Sequence, residues 1–523
     1  MQTEIKKIVI VGGGTAGWIT AGRIASEHKQ NPLISITLIE SPDVKPIGVG
    51  EGTWPSMRDT LKKIGISEAE LLHCCDASFK QASKFINWEM NSKDSKSQSN
   101  HYYHPFSLPA TDKDFIKQLF TQHNSTNSIE NYFSQAACYQ SILCEKNLAP
   151  KQITTPEYGF VANYGYHLDA AKFSKLLQQH CTNNLNVKHV LTHVDSVNSH
   201  DNGDIASVST DTCGSVEGDL FIDCTGAKSL LLGKHFNIPF ISKKSVLFND
   251  SALAIQVPYE DESTPIVSST LSTAQTAGWI WDIGLQSRRG VGHVYSSAHT
   301  SDELAESDLR NYIAQTVSAA KAEELSVKKL TINPGFHEKL WHRNCVAVGM
   351  SAGFIEPLEA SALVMIEQAA KMITEQLPVT RKCMEVTAKR FNKKMIAHWQ
   401  QIIDFLKLHY VLSKRIDSPY WLDNKDNSTI PDSLNEMLTL WQHQIPSQYD
   451  IPQSEPLFPA ASYQYVLYGM NFHTKSYPYS GEEGKKMSHV SKDIQFKRRK
   501  LAQVLEPNRV LINKIKQYGL TKI

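Results

Sequence analysis

"KKIVIVGGGTAGWITAGRIA", Lys6 to Ala25, decides the fold. Ile8 to Val11 form an unbroken apolar run rich in β-branched residues, the pattern of a strand buried on both faces. Gly12-x-Gly14-x-x-Gly17 follows at once, and a helix opening with Ala16 runs past Ile24. In such a strand–turn–helix the glycines allow a tight turn and a close backbone approach to a pyrophosphate, whose charge is favoured at the helix N-terminus. Gly12, Gly14, Thr15, Ala16 and Gly17 are therefore the expected cofactor-binding positions. A second apolar strand, "ISITLIE", ends in Glu40, where an acid roughly 20 residues beyond the turn accepts hydrogen bonds from ribose hydroxyls. The reading is an α/β, Rossmann-like fold holding one dinucleotide, NAD or FAD.

Two later segments favour FAD. "GDLFIDCTGAKSLLL" reads as another buried strand, ending at Asp223 and a Thr225-Gly226 turn. "NCVAVGMSAGFIEPLEA" gives an apolar strand from Cys345 to Val348, a turn from Gly349 to Gly353 and a helix entered after Pro357, which can aim backbone N–H groups at a bound ring system. No second GxGxxG follows a strand, and "GVGEG" at Gly48 to Gly52 lacks both the strand before it and a helical continuation. A separate NAD(P)H domain is not expected.

Composition narrows the partners. With 54 basic against 53 acidic residues the net charge is +1, without the field of a nucleic-acid binder. The nine cysteines include no CxxC pair and no cysteine–histidine spacing of a zinc site, so a reducing cytoplasm and no metal are expected. No signal peptide is expected from a start that passes straight from Lys7 into an apolar strand and a glycine turn, and no apolar run reaches the roughly 18 residues of a membrane span.

Residues 1–370 alternate strands and helices and read as a FAD-binding domain with an interleaved β-sheet portion. Residues 371–523 read as a mainly helical substrate-binding portion. A β-rich stretch from about Ser251 to Ser297 predicts a second sheet, and within it "GWIWDIG", Gly278 to Gly284, places Trp279 and Trp281 on one strand face and Ile280 and Asp282 on the other. That aromatic face is expected to be broad and flat. "YHLDAAKFSKLLQQH" reads as an amphipathic helix, and "ALVMIEQAAKMITEQL" and "AKRFNKKMIAHWQQIIDFLKLHY" as two helices broken at Pro378. Asn91 to Asn100 and Ser476 to Asp493 read as polar linkers, and the basic run Lys497 to Lys500 as the opening of a final helix with a solvated face.

From Lys7 to about Phe472 the chain resembles the two-component, FADH2-dependent tryptophan halogenases. The resemblance rests on the Gly12–Gly17 fingerprint, "IGVGEGTWP" from Ile47 to Pro55, "FK" at Phe79 and Lys80, and "YHPF" from Tyr103 to Phe106. "YHLDA" from Tyr166 to Ala170, Trp-x-Trp-x-Ile, "EPLEAS" from Glu356 to Ser361, and "LHYVLSKRIDSPYW" from Leu408 to Trp421 complete it. It implies a PHBH-like flavin-monooxygenase fold. It also implies reduced FAD from a separate NAD(P)H-dependent flavin reductase, bromide or chloride, and hypohalous acid that halogenates an indole-type aromatic by electrophilic substitution. A homodimer would be in keeping with the family.

The resemblance also implies residue roles. Lys80 holds or activates the hypohalous acid, and Glu359 accepts the proton lost from the ring. Ser361 and Ala362 stand where the family's Thr-Gly pair offers backbone N–H groups to halide. Met350 and Leu363 line the flavin, and Gly50 and Glu51 lie in the strap segment that reports on flavin occupancy. Trp279 and Trp281 keep the organic substrate away from flavin, and His104 and Phe106 pack on the indole. The chain departs from the family pattern at Gly284, where proline is common, and at Ala362, where glycine is usual; alanine narrows the φ/ψ range there. The charged anchors that grip free tryptophan are missing from "LWQHQIPSQYDIPQSEPLFPAASYQYVLYGM", where Trp441, Tyr449, Phe458 and Tyr463 are candidate linings. Indole, a substituted indole and an indole-bearing peptide stand beside tryptophan as substrates. A flavin monooxygenase that transfers oxygen directly and a non-catalytic flavin-binding protein are the rival functions.

Overall fold

The run Lys7–Val11 forms the strand its sequence predicts, with Ile8 to Val11 buried. It is central to a six-stranded sheet, pairing in parallel with Ser35–Glu40 on one side and Leu220–Asp223 on the other. Lys188–Leu191 extends the sheet beyond Ser35–Glu40, and Cys345–Ala347 and then the antiparallel Trp341–His342 extend it beyond Leu220–Asp223. The computed structural model describes residues 4–44, 50–90, 100–110, 133–475 and 484–522. Ile47 to Val49, and residues 91–99 and 476–483 of the two expected linkers, lie outside the described residues; the rest of the second, from Gly484 to Asp493, is helical and not a linker.

The chain divides into two units, each drawn from three segments. The first comprises Met1–Ala77, Leu168–Lys244 and Asn333–Trp399. It contains the six-stranded sheet, and its first helix, Thr15–Glu27, packs against helices Ala170–Asn184 and Ser361–Glu375. Asp169 starts the former of these by accepting hydrogen bonds from the N–H groups of Ala171 and Lys172 at 3.1 and 3.0 Å, an N-cap of ordinary kind.

The second unit comprises Ser78–His167, Ser245–Ile332 and Gln400–Ile523. Its seven-stranded sheet runs in the order Val327–Thr331, Ser251–Pro258, Arg288–Tyr295, Gly278–Gly284, Ser269–Gln275, Ala82–Ile86, His101–Pro105. All neighbours are antiparallel except Ser269–Gln275 with Ala82–Ile86. Leu253, Ile255, Ile280 and Val291 bury one face of the sheet with Ala305, Leu309 and Ile313 of helix Asp302–Ile313. Among the described residues after 371, the portion the sequence reads as mainly helical, all regular elements are helices. The basic run does not open a helix, however: Lys497 to Lys500 lie within Gly484–Val504, and a separate helix, Asn508–Tyr518, follows Pro507.

Candidate active site

The Gly12–Gly17 turn is built for close approach. Gly12 has φ +118°, and a Cβ there would lie 2.1 Å from the Cys224 carbonyl oxygen; a Cβ on Gly17 would lie 1.9 Å from the Gly12 carbonyl oxygen. Only glycine fits such contacts. Gly14, by contrast, faces open space, and helix Thr15–Glu27 behind it has neither a side-chain cap nor an acid in its first turn. Its leading N–H groups are thus available to an anion. Glu40 lies beside Gly13, its Oε2 2.8 Å from His189 Nε2. Gly349, at φ +75°, sets its turn so close to the helix that an added Cβ would be 2.8 Å from the Ala16 Cβ. Asp223 braces the same end of the sheet, accepting N–H bonds from Leu231 and Leu232 at 2.9 Å each. An open glycine, an uncapped helix start and a carboxylate at the second strand's end together fit a bound dinucleotide.

The strap segment adds a strand at Gly50–Gly52 and, after Pro55, helix Ser56–Ile64. This helix corrects the expectation that no helical continuation follows that glycine-rich stretch. Loss of hydration, reinforced by the charge of Asp169, pushes the Glu51 carboxyl up to about 7. Ser56 Oγ and Thr60 Oγ1 donate to the carboxylate of Glu367 at 3.1 and 2.6 Å. Burial pushes that group up to about 7 as well.

The expected helix after Pro357 is not continuous from its first residue. Leu358–Ala360 form a single turn in which Glu359 (φ 63°, ψ 7°) and Ala360 (φ 57°, ψ 44°) are both left-handed, and helix Ser361–Glu375 begins beyond them without a side-chain cap or an acid in its first turn. Glu359 is 7% exposed, and its carbonyl accepts a hydrogen bond from Trp54 Nε1 at 2.7 Å. Met350, Ser361 and Ala362 line one apolar cleft together with Phe354, Met365 and Trp399. Leu363 is buried in the same helical turn and is not among that cleft's walls.

In the second unit, Lys80 ends the short strand Ser78–Lys80, which pairs antiparallel with the strand carrying His167. The lysine is 1% exposed, and its Nζ is 5.3 Å from the centre of the Phe106 ring. The structure thus brings Lys80 and Phe106 together. His104 is 8% exposed, shares a 3.0 Å hydrogen bond with Ser462, and packs beside Phe405 and Tyr465. His167 is a neighbour of Lys80 that the sequence reading passed over within "YHLDA". Its Nε2 is 2.8 Å from Thr270 Oγ1, and burial, then the charge of Lys80, hold its imidazole well below the usual range.

Trp279 and Trp281 lie on one strand face, as alternation requires, but the surface they make is not flat. Their rings meet at 63° with centres 6.5 Å apart, and Trp279 is 1% exposed beside Trp88. Trp281 is accommodated by Gly292, its partner in the register, where a Cβ would be 2.2 Å from the indole. Gly284 closes this strand, and its carbonyl accepts a 2.5 Å hydrogen bond from Ser78 Oγ. Of the candidate linings, Trp441, Phe458 and Tyr463 are buried, whereas Tyr449 is 84% exposed.

Known proteins place this arrangement. A family profile described as tryptophan halogenase matches residues 7–483. Tryptophan 6-halogenase SttH of Streptomyces toxytricini is 32% identical over 481 residues, covering 88% of this chain and 89% of that protein. A tryptophan halogenase from Shewanella frigidimarina is 51% identical, with full coverage of both chains and a TM-score of 0.95. The structure of Tar14, a tryptophan C-6 flavin-dependent halogenase from taromycin biosynthesis, covers 98% of this chain and all of its own, at 32% identity and a TM-score of 0.87. The chain, with its FAD-binding Rossmann-like fold, belongs to the tryptophan halogenase family and is a flavin-dependent halogenase.

Proposed function

We propose that this enzyme halogenates a small indole-type aromatic, using FADH2 from a separate NAD(P)H-dependent reductase and either bromide or chloride. The observation that carries the assignment of roles is Lys80, whose side chain is withdrawn from water against an aromatic ring. A lysine is seldom buried this far without a task.

The Gly12–Gly17 turn and the N–H groups following Gly14 hold the pyrophosphate, with Thr15 and Ala16 in the first turn, and Glu40 holds the ribose. Gly50, Glu51, Met350 and Leu363 bound the ring system. Bound FADH2 supplies, with dioxygen, the two-electron oxidation of halide that yields hypohalous acid. The N–H groups of Ser361 and Ala362 hold the halide, helped by the positive end of an uncapped helix. Lys80 donates a hydrogen bond to the hypohalous oxygen, turns the halogen toward the ring carbon and protonates the departing hydroxide, which leaves as water. The ring carbon forms its bond to halogen using ring electrons, and Glu359 offsets the resulting positive charge and then accepts the displaced proton. Trp279 and Trp281 separate organic substrate from cofactor, and Phe106 and His104 pack on the substrate ring. Because the stretch from Leu440 to Met470 lacks the family's charged anchors for an amino-acid backbone, indole is the better substrate than free tryptophan.

The test is an aerobic incubation with FAD, NADH, a generic flavin reductase and bromide, offering indole and tryptophan separately and reading products by mass spectrometry. Brominated indole that is lost in Lys80→Ala supports the assignment. Hydroxylated product, or turnover indifferent to halide, overturns it.

A further inference from the structure

We infer that Trp54 is a positioning residue for the proposed base. Its indole N–H holds the main chain of Glu359 and Ala360 in a conformation those residues resist, and this fixes the direction of the Glu359 carboxylate. The inference rests on the role of Glu359 given above, and its structural half stands apart from that role.

Two adjacent residues that both carry a Cβ take positive φ, 63° at Glu359 and 57° at Ala360. L-residues rarely adopt this region, least of all in succession, and such strain persists only where the surroundings impose it. The turn itself supplies one bond, from Ala360 N–H to the Pro357 carbonyl at 2.9 Å. Outside the turn, Trp54 Nε1 donates to the Glu359 carbonyl at 2.7 Å. That oxygen belongs to the peptide joining the two left-handed residues, so its direction is set by ψ of Glu359 and φ of Ala360 together.

Trp54 can act as an anchor because its own chain is fixed. Two residues later helix Ser56–Ile64 begins, and Ser56 and Thr60 are tied to Glu367 on helix Ser361–Glu375. That helix is the one that starts at the strained turn. The indole and the two hydroxyls therefore grip the same element, at its mouth and one to two turns along it. If the indole lets go, Glu359 and Ala360 can relax to negative φ, which swings the Glu359 side chain and the first N–H groups of the helix away together.

The experiment is a double-mutant cycle of Trp54→Phe, which removes the N–H and keeps a ring, with Ala360→Gly, which accepts positive φ without strain. Each variant is read by kcat and KM for indole bromination, by thermal melting and by crystal structure. Trp54→Phe is expected to lower kcat by roughly tenfold or more with KM within about twofold, and by no more than about threefold in the Ala360→Gly background. In its crystal structure φ at 359 or 360 is expected to leave the positive range. An equal loss in both backgrounds, or unchanged kcat with both positive φ values kept, overturns the inference. If Trp54→Phe does not fold, Trp54→His supplies a ring N–H instead. Retention of about a third of wild-type kcat then supports the inference, and a loss of roughly tenfold overturns it. If the wild type brominates nothing while the turn still relaxes in Trp54→Phe, it is the halogenase roles that fail and not the anchor.

Discussion

Lys80 shows how far a single residue can be read in advance. The dipeptide Phe79-Lys80 marks it through family resemblance alone; by itself a lysine between Phe79 and Gln81 reads as a surface residue. Its burial goes with a strand pairing with residues 165–167 that no local pattern announces, and Phe106 is held near it by its N–H bond to the Gln81 carbonyl at 3.0 Å. A buried cation with a task is expected to lower stability while serving activity. Lys80→Met, similar in length and without charge, should therefore cut halogenation by at least roughly 100-fold and leave the melting temperature unchanged or higher. Activity assay and thermal melt check the two halves. Glu359 is the opposite case: its identity was legible in "EPLEAS", but its left-handed backbone was not, because nothing in Pro-Leu-Glu-Ala-Ser demands positive φ. Nothing local to Trp54 announces its role, since the carbonyl it serves lies some three hundred residues away in sequence.

At the scale of elements, the first strand, the glycine turn and the Trp-x-Trp strand were legible because hydrophobic run and alternation are local signals. What faces them was not. Gly292 reads as an ordinary strand glycine, yet it sits opposite Trp281. Gly292→Ala is predicted to cost roughly 1–3 kcal/mol, read by urea melts, because a Cβ would meet both the indole and the Leu253 carbonyl. The tie between helices Ser56–Ile64 and Ser361–Glu375 gives a pH signature. Folding raises the Glu367 pKa from 4.5 to about 7, with burial outweighing Ser56, Thr60 and Arg23. Its contribution to stability is thus complete below about pH 4.5 and is lost as pH rises through about 7. Relative to Glu367→Gln, which keeps an acceptor and does not titrate, the wild type should lose stability between about pH 5 and pH 8 in chemical melts at each pH.

For the molecule as a whole, segment composition could not reveal that each unit is assembled from three separated stretches. The six-stranded sheet alone uses strands from Lys7 to Ala347. The residues proposed to hold the nucleotide all belong to the first unit, and this makes a regional prediction. FAD should slow amide exchange at residues 12–17 and 349–351 by more than in Ser251–Pro258, measured by hydrogen exchange with mass spectrometry. Uniform protection throughout the chain would contradict a localised site.

The position of Lys7–Val11 between Ser35–Glu40 and Leu220–Asp223 also bears on how the protein is made. A ribosome adding roughly 5–20 residues per second delivers the first strand roughly 10–40 s before the later of those neighbours emerges. Through that interval four apolar residues have one open edge and no finished sheet to join, which is the state that trigger-factor-type chaperones shelter and that fast, warm overexpression leaves to aggregate. Soluble yield in a foreign host should accordingly rise with added chaperone.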